Sequence, residues 1–289
     1  MSLTRLMTLI QQSPLLEDLV LRDITFPKSR VLDKLATTIE LPYLKVLDIG
    51  GCSSHTLLLL LNRFVTPHTI SVSAHFPDLP LGSLSSLCEF WKRICLGREI
   101  HHLECSLDNY DQGATALKVC GGRLTIATFE AIIIGSIFRC FSSSAVRTIT
   151  IDNYNLSEAL LRPHFRSSSN LQIVKVGNCS RLSFLELIDN LDHTPSIATL
   201  VLEAWRDLED YPGDSEEAMP VYRDLLRLAH IFKRKRYPLD DPPIREIILE
   251  GFHIYDERKV STMLSEVAQN ILWHDLTFYL TDADLIKSV

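Results

Sequence analysis

A six-residue phrase, Leu-x-x-Leu-x-Leu with any aliphatic residue at the marked places, returns along the chain at intervals that few architectures accommodate. It stands at Leu16-x-x-Leu19-x-Leu21, Leu44-x-x-Leu47-x-Ile49, Val146-x-x-Ile149-x-Ile151, Leu171-x-x-Val174-x-Val176, Ile197-x-x-Leu200-x-Leu202 and Ile244-x-x-Ile247-x-Leu249. The starts at 146, 171 and 197 are 25 and 26 residues apart. Two copies, LKVLDIGGC at 44–52 and LQIVKVGNC at 171–179, share a Gly and a terminal Cys as well.

The pattern has a simple physical reading. In a strand, alternate side chains point to one face, so the fourth and sixth positions of the phrase face a core and the third and fifth face away. A unit of this size cannot bury its apolar face alone and must stack on its neighbours. The period lies within the roughly 20–29 residues of leucine-rich repeats. The expected fold class is therefore α/β: a leucine-rich-repeat solenoid of about eight strand units, a curved parallel sheet with helices on its convex side, spanning 1–289 as a single domain. Apolar runs of helical length at 53–64 (SSHTLLLLLNRF) and 180–191 (SRLSFLELIDNL) supply returning helices, with Ser180 as a candidate cap. The slot three residues past the phrase holds Cys52 and Cys179 in the two matching copies and Ile24, Tyr154, Trp205 and Phe252 elsewhere. It is read as a structural position where the strand turns away.

The middle of the chain departs from the period. Ile70-x-Val72 and Leu103-x-Cys105 read as strands, with a helix over 83–96 between them. ALKVCGGRLTIATF at 116–129 places two alternating runs around Gly121-Gly122, the pattern of an inserted β-hairpin. Residues 206–243 form an insertion: an acidic loop, a helix over 221–232, and a basic, proline-rich segment. Near its end the chain carries DLTFYL, in which Leu276-x-Phe278 is the expected last strand, followed by a short tail, DADLIKSV.

Composition bounds the class of function. Hydrophobic residues make up 46% and charged residues 22%, enough for a full core. The net charge of −7 lacks the basic excess of a general nucleic-acid binder. Seven cysteines without a CxxC pair read as free, mostly buried thiols of a reducing compartment, cytoplasmic or nuclear. The opening MSLTRLMTLIQQSP is amphipathic rather than a signal sequence, and the longest unbroken apolar stretch, at 57–61, is far shorter than the roughly 20 residues of a membrane span.

The stretch at 41–74, LPYLKVLDIGGCSSHTLLLLLNRFVTPHTISVSA, resembles the repeat region of a large set of fungal F-box proteins, above all those of mushroom-forming fungi. The residues that carry the resemblance are Leu41-Pro42, Leu44, Leu47 and Ile49, the Leu run at 57–61, and Pro67 ahead of Ile70 and Val72; the hairpin at 116–129 is also similar. What the resemblance implies is the substrate-recognition half of a ubiquitin-ligase adaptor. The F-box, which would dock on a cullin ligase adaptor through a helical segment near a Leu-Pro-x-Glu phrase, has no counterpart before residue 13. A cullin-adaptor partner is therefore expected only with an F-box upstream.

No chemical motif competes with this reading. The chain has no GxGxxG, Walker A, HExxH or GxSxG pattern, and no catalytic residue, cofactor or metal ligand is assigned. His101-His102 are neighbours whose rings point to opposite faces of a strand, and Asp240-Asp241 read as solvated loop carboxylates. KRKR at 233–236 reads as the basic C-terminal end of a helix rather than as a nuclear import signal or a patch for an acidic partner. The candidate partner-binding residues are the outward strand positions Asp48, Thr150, Asp152, Lys175, Glu203, Glu246, Glu250, Thr277 and Tyr279. Their acidic excess suits a basic protein partner; no nucleic acid and no membrane is expected. The expected function is a non-catalytic protein-interaction module. The alternatives are a structural scaffold without a ubiquitin link and an enzyme whose site is assembled from residues distant in sequence.

Overall fold

The structure, a computed structural model, describes residues 3–24, 38–51, 53–67, 69–76, 81–95, 98–106, 115–128, 131–138, 140, 145–152, 169–177, 185, 189, 191, 197–203, 219–234, 244–252 and 257–274. It is an α/β protein built on mostly parallel sheet. The chain packs as two compact units, Met1–Val146 and Arg147–Val289.

The first unit contains α1 (Leu3–Gln11), β1 (Asp18–Arg22), β2 (Ile39–Glu40), β3 (Val46–Gly50), α2 (Ser54–Leu61), β4 (Phe64–Val65), β5 (Ser71–Phe76), α3 (Leu84–Cys95), β6 (His102–Ser106), β7 (Thr115–Cys120), β8 (Arg123–Thr128) and α4 (Ala131–Phe138). Its main sheet runs β1-β3-β5-β7-β8-β6. β1, β3 and β5 are parallel, as the stacked phrases require. The Gly121-Gly122 hairpin forms as expected: β7 and β8 pair antiparallel, with Gly121 at φ +55° in the turn. It enters the sheet itself. β7 lies antiparallel on β5 and β8 parallel to β6, so the hairpin separates two strands that precede it in the chain. At its open end Thr115 and Thr128 are buried, and their hydroxyls satisfy each other at 2.8 Å.

Two rows of inward side chains run across this sheet. Leu19, Leu47, Val72, Val119, Leu124 and Leu103 share one rung, and Leu21, Ile49, Ala74, Leu117, Ile126 and Cys105 share the next. All are buried. The Leu run at 57–61 is core, as read: Leu57, Leu58, Leu60 and Leu61 are buried in α2. α3 buries Leu87, Phe90, Trp91 and Ile94, the i, i+3, i+4, i+7 stripe of an amphipathic helix.

The second unit contains β9 (Thr148–Asp152), β10 (Ile173–Gly177), β11 (Thr199–Glu203), α5 (Met219–Arg234), β12 (Ile244–Glu250), α6 (Glu257–Leu264) and β13 (Ala268–His274). All five strands are parallel and pair in chain order. Ile149, Val174, Leu200 and Ile247 lie on one rung and Ile151, Val176, Leu202 and Leu249 on another. Every one of them is buried. The helix of the 206–243 insertion is α5, which buries Leu225, Leu228, Ala229 and Phe232 at helical spacing. Residues 185, 189 and 191 are helical, within the run expected at 180–191.

The last described strand is β13, upstream of the expected Leu276-x-Phe278, which lies outside the described residues. Ala268-x-x-Ile271-x-Trp273 is the same phrase with Ala at its first place and Trp at its last. It pairs in register, Ile271 on Ile247 and Trp273 on Leu249. Trp273 suits a strand that ends the described stack, where its Nε1 donates to Ser261 Oγ on α6 at 3.1 Å.

The repeat also has a backbone signature. The carbonyl at the second position of one phrase accepts two successive N–H groups of the next. Glu17 O takes Lys45 and Val46; Arg147 O takes Gln172 and Ile173; Gln172 O takes Ala198 and Thr199; Ala198 O takes Arg245 and Glu246, at 2.7–3.1 Å. Unlike side chains at this position share one hydrogen-bond pattern, because the backbone sets it.

Candidate functional site

The outward strand positions form the candidate surface, and each unit presents its own. In the second unit the pairing places Thr150, Lys175, Val201, Ile248 and Leu272 side by side on one rung. One rung toward the strand ends, Asp152 lies beside Gly177, and Glu203, Glu250 and His274 follow one another. On the opposite flank Glu246 stands between Thr199 and Asn270. The surface is thus an apolar strip, Val201-Ile248-Leu272, with carboxylates on both sides. Leu272 is 41% exposed and Ile248 half-buried, whereas Val201 is 9% exposed, so the open part of the strip lies toward Leu272.

Lys175 organises the charges. Its Nζ lies 2.6 Å from Glu203 Oε1 and 3.5 Å from Glu250 Oε2. The hydrogen bond that Lys175 donates to Glu203 leads the effects that raise the Lys175 pKa; partial burial opposes it, and attraction to Glu203 and Glu250 adds to it. Gly177 makes the arrangement possible. A Cβ there would meet the Glu203 carboxylate, whose Cδ would stand 2.8 Å away, and Asp152 Oδ1 at 3.3 Å. The missing side chain leaves the hollow in which Glu203 folds back toward Lys175.

The first unit arranges its outward face differently. Asp48, with Val20, Ser73, Lys118, Thr125 and Glu104, lies along one rung. Arg22 Nη2 donates to Asp48 Oδ2 at 2.5 Å, which raises the Arg22 pKa. Arg123 forms an ion pair with Glu104, and Thr125 Oγ1 donates to the same carboxylate oxygen at 3.2 Å. Each of these outward carboxylates has its own arginine.

Seven of the nine residues singled out in the sequence are thus placed. Asp48 belongs to the first unit; Thr150, Asp152, Lys175, Glu203, Glu246 and Glu250 converge on one face of the second. Thr277 and Tyr279 lie outside the described residues, as do Cys52 and Cys179. Sequence reasoning missed Val201 and Ile248, which hold the outward fifth position of their phrases, and Leu272; that the three stand side by side became visible only once neighbouring strands were in register. It also missed the eighth position of the phrase. Asp23, Gly51 and Gly251 all stand there with φ of 52°, 68° and 68°, the left-handed region. The signal was present: the six copies read Asp, Gly, Asn, Asn, Ala and Gly at this place, mostly residues that tolerate that conformation. Strand exit is governed there. The ninth place, read as the turn slot, holds a fully buried Phe252 in the last of the six copies.

The histidine pair does not converge. His101 Nδ1 lies 3.2 Å from Ala145 O, while His102 sits in β6 opposite Arg123, and burial leads the effects that lower its pKa. Lys233, at the start of the basic run, reaches Glu266 Oε2 at 2.6 Å; residues 235–236 lie outside the described residues. Among the described residues, no helix is long and apolar enough to cross a membrane. Comparison of the chain with protein-family models, with curated proteins and with solved structures finds no match.

Proposed function

We propose that this protein is a non-catalytic protein-interaction module of the leucine-rich-repeat type, its stacked strands curving into a solenoid whose outward strand face holds a basic partner. In the reading drawn from the fungal F-box resemblance, that partner is the substrate recruited by a ubiquitin-ligase adaptor. The carrying observation is the register of the second unit. It sets Asp152, Glu203, Glu246 and Glu250 around the strip Val201-Ile248-Leu272, with Lys175 as the cation between two of them. Apolar contact area supplies affinity and the surrounding carboxylates select charge and speed encounter. Docking on a cullin adaptor belongs to an F-box segment and is no part of this face.

The test is affinity capture from the native cell, comparing wild type with Asp152→Lys/Glu246→Lys/Glu250→Lys. Loss of a defined set of partners, restored by none of the washes that preserve wild-type binding, is expected. Recovery of the same partners by both proteins sinks the outward-face reading. A parallel Asp48→Lys variant is expected to retain them.

A further inference from the structure

One feature of the first unit is unrelated to the outward face. Cys88 on α3 and Cys140, just beyond α4, both line an open cleft of about 310 Å³ together with Leu84, Ser85, Lys92 and Ser136. Both thiols are free and half-buried. They aim at one acceptor: Cys88 Sγ donates to Ser136 O at 3.7 Å and Cys140 Sγ to the same oxygen at 3.3 Å. Cys140 Sγ also approaches Cys88 O at 3.6 Å. The two sulfurs therefore share one carbonyl, in a cleft that a small solute can enter.

We propose that Cys88 and Cys140 are a dithiol modification site that low-molecular-weight disulfides, the class of oxidised glutathione, convert to an intramolecular disulfide. The thiolate of one cysteine attacks the small disulfide, forming a mixed disulfide and releasing one small thiolate, which takes up a proton. The second cysteine loses its proton and attacks the protein sulfur of that mixed disulfide, releasing the second small thiol. Two protein thiols are oxidised and one small disulfide is reduced to two thiols.

Three features fit this chemistry. The cleft is open to solvent, and Ser85, Ser136 and Lys92, the last paired with Glu89 at 2.9 Å, give it a polar lining. The closed bond ties α3 to the chain leaving α4, and these two helices already pack together. Burial, with the nearby Cys88, pushes the Cys140 thiol up to about 12, so that thiol rests neutral and equilibrium rather than rate is the proper readout. Cys95 and Cys105 are buried, and Cys120 is exposed.

The experiment equilibrates the folded full chain in glutathione buffers of increasing oxidised fraction, quenches with acid, alkylates free thiols and maps linkages by mass spectrometry. The expected result is loss of both free thiols at 88 and 140 together, a peptide linked 88 to 140, and full return on adding dithiothreitol. In Cys88→Ser, glutathione is expected to remain on Cys140 as a stable adduct. Free thiols at both positions under the most oxidising buffer overturn the proposal, as do separate glutathione adducts on the two cysteines of the wild type. Because the wild-type chain alone yields the decisive linkage, misfolding of the variant does not blur the result.

Discussion

The two matching phrases, one in each unit, follow the same backbone plan and present opposite charges. β3 carries Asp48 at the fifth position of its phrase and β10 carries Lys175. Asp48 turns back to the preceding strand and pairs with Arg22; Lys175 reaches forward to Glu203 on the following strand. Each strand ends in Gly, and in each case the next strand's side chain lies over it. His75 Cβ would be 3.3 Å from a Cβ at Gly50, and the Glu203 carboxylate covers Gly177. The inward rows are interchangeable in kind, whereas the outward rows are not. A repeat fixes where a side chain stands and leaves its chemistry to each copy, which is how one scaffold comes to display a neutralised face in one unit and an acidic one in the other.

The largest effect should come from the shared part. Leu47→Ala and Leu200→Ala each remove a fully buried rung residue and are expected to cost about 2–5 kcal/mol in denaturant unfolding. A loss below 1 kcal/mol in either would mean that the rungs do not form the core. Next comes strand exit. At Gly51, φ is +68° and an added Cβ would stand 2.8 Å from Asp23 N, backbone that has little room to yield. Gly51→Ala is expected to cost ~1–3 kcal/mol. Gly177 has no such constraint, since the atoms over it belong to the flexible Glu203 side chain. Gly177→Ala should cost under about 1 kcal/mol while displacing Glu203 from Lys175. The contrast between the two glycines is the sharpest check on the different roles assigned to them.

The smallest effect is electrostatic. Lys175 has a pKa raised above its ordinary 10.5 by the Glu203 hydrogen bond, so its stabilising contribution is complete below that value and fades as pH rises through the higher folded value. Wild type should therefore lose a little stability in strongly alkaline solution, and Gly177→Ala should lose less. Thermal unfolding across that range reads the difference, and equal slopes would show that Glu203 does not hold the lysine. Salt offers a second reading. Lys175→Met leaves Asp152, Glu203 and Glu250 facing one another, so its stability should rise with ionic strength more steeply than that of wild type.

Much of the scaffold was legible because its signal is local. Ile149, Val174 and Leu200 could be placed on one rung of neighbouring strands from periodicity alone, and Gly121-Gly122 announced a hairpin. β13 escaped because Ala268 and Trp273 replaced the aliphatic residues of the phrase, although its spacing of 24 from Ile244 fits the period. The path of the hairpin escaped for another reason. Nothing in 116–129 states that β7 and β8 insert between β5 and β6, because pairing order depends on partners distant in the chain. Of the candidate site, the outward parity was readable and its consequence was not: Lys175 looked like the odd cation in an acidic row and proves to be the group that holds two of its carboxylates.

By itself the sequence determined which residues alternate and which of them seek a core; these follow from one or two turns of chain and the chemistry of single residues. Only the tertiary structure decided that Arg22 meets Asp48, that Glu203 folds over Gly177 to reach Lys175, and that Cys88 and Cys140 face one carbonyl. Such pairings join residues from 26 to 52 positions apart. They depend on register and on the reach of long side chains, quantities that exist only after the strands and helices have packed.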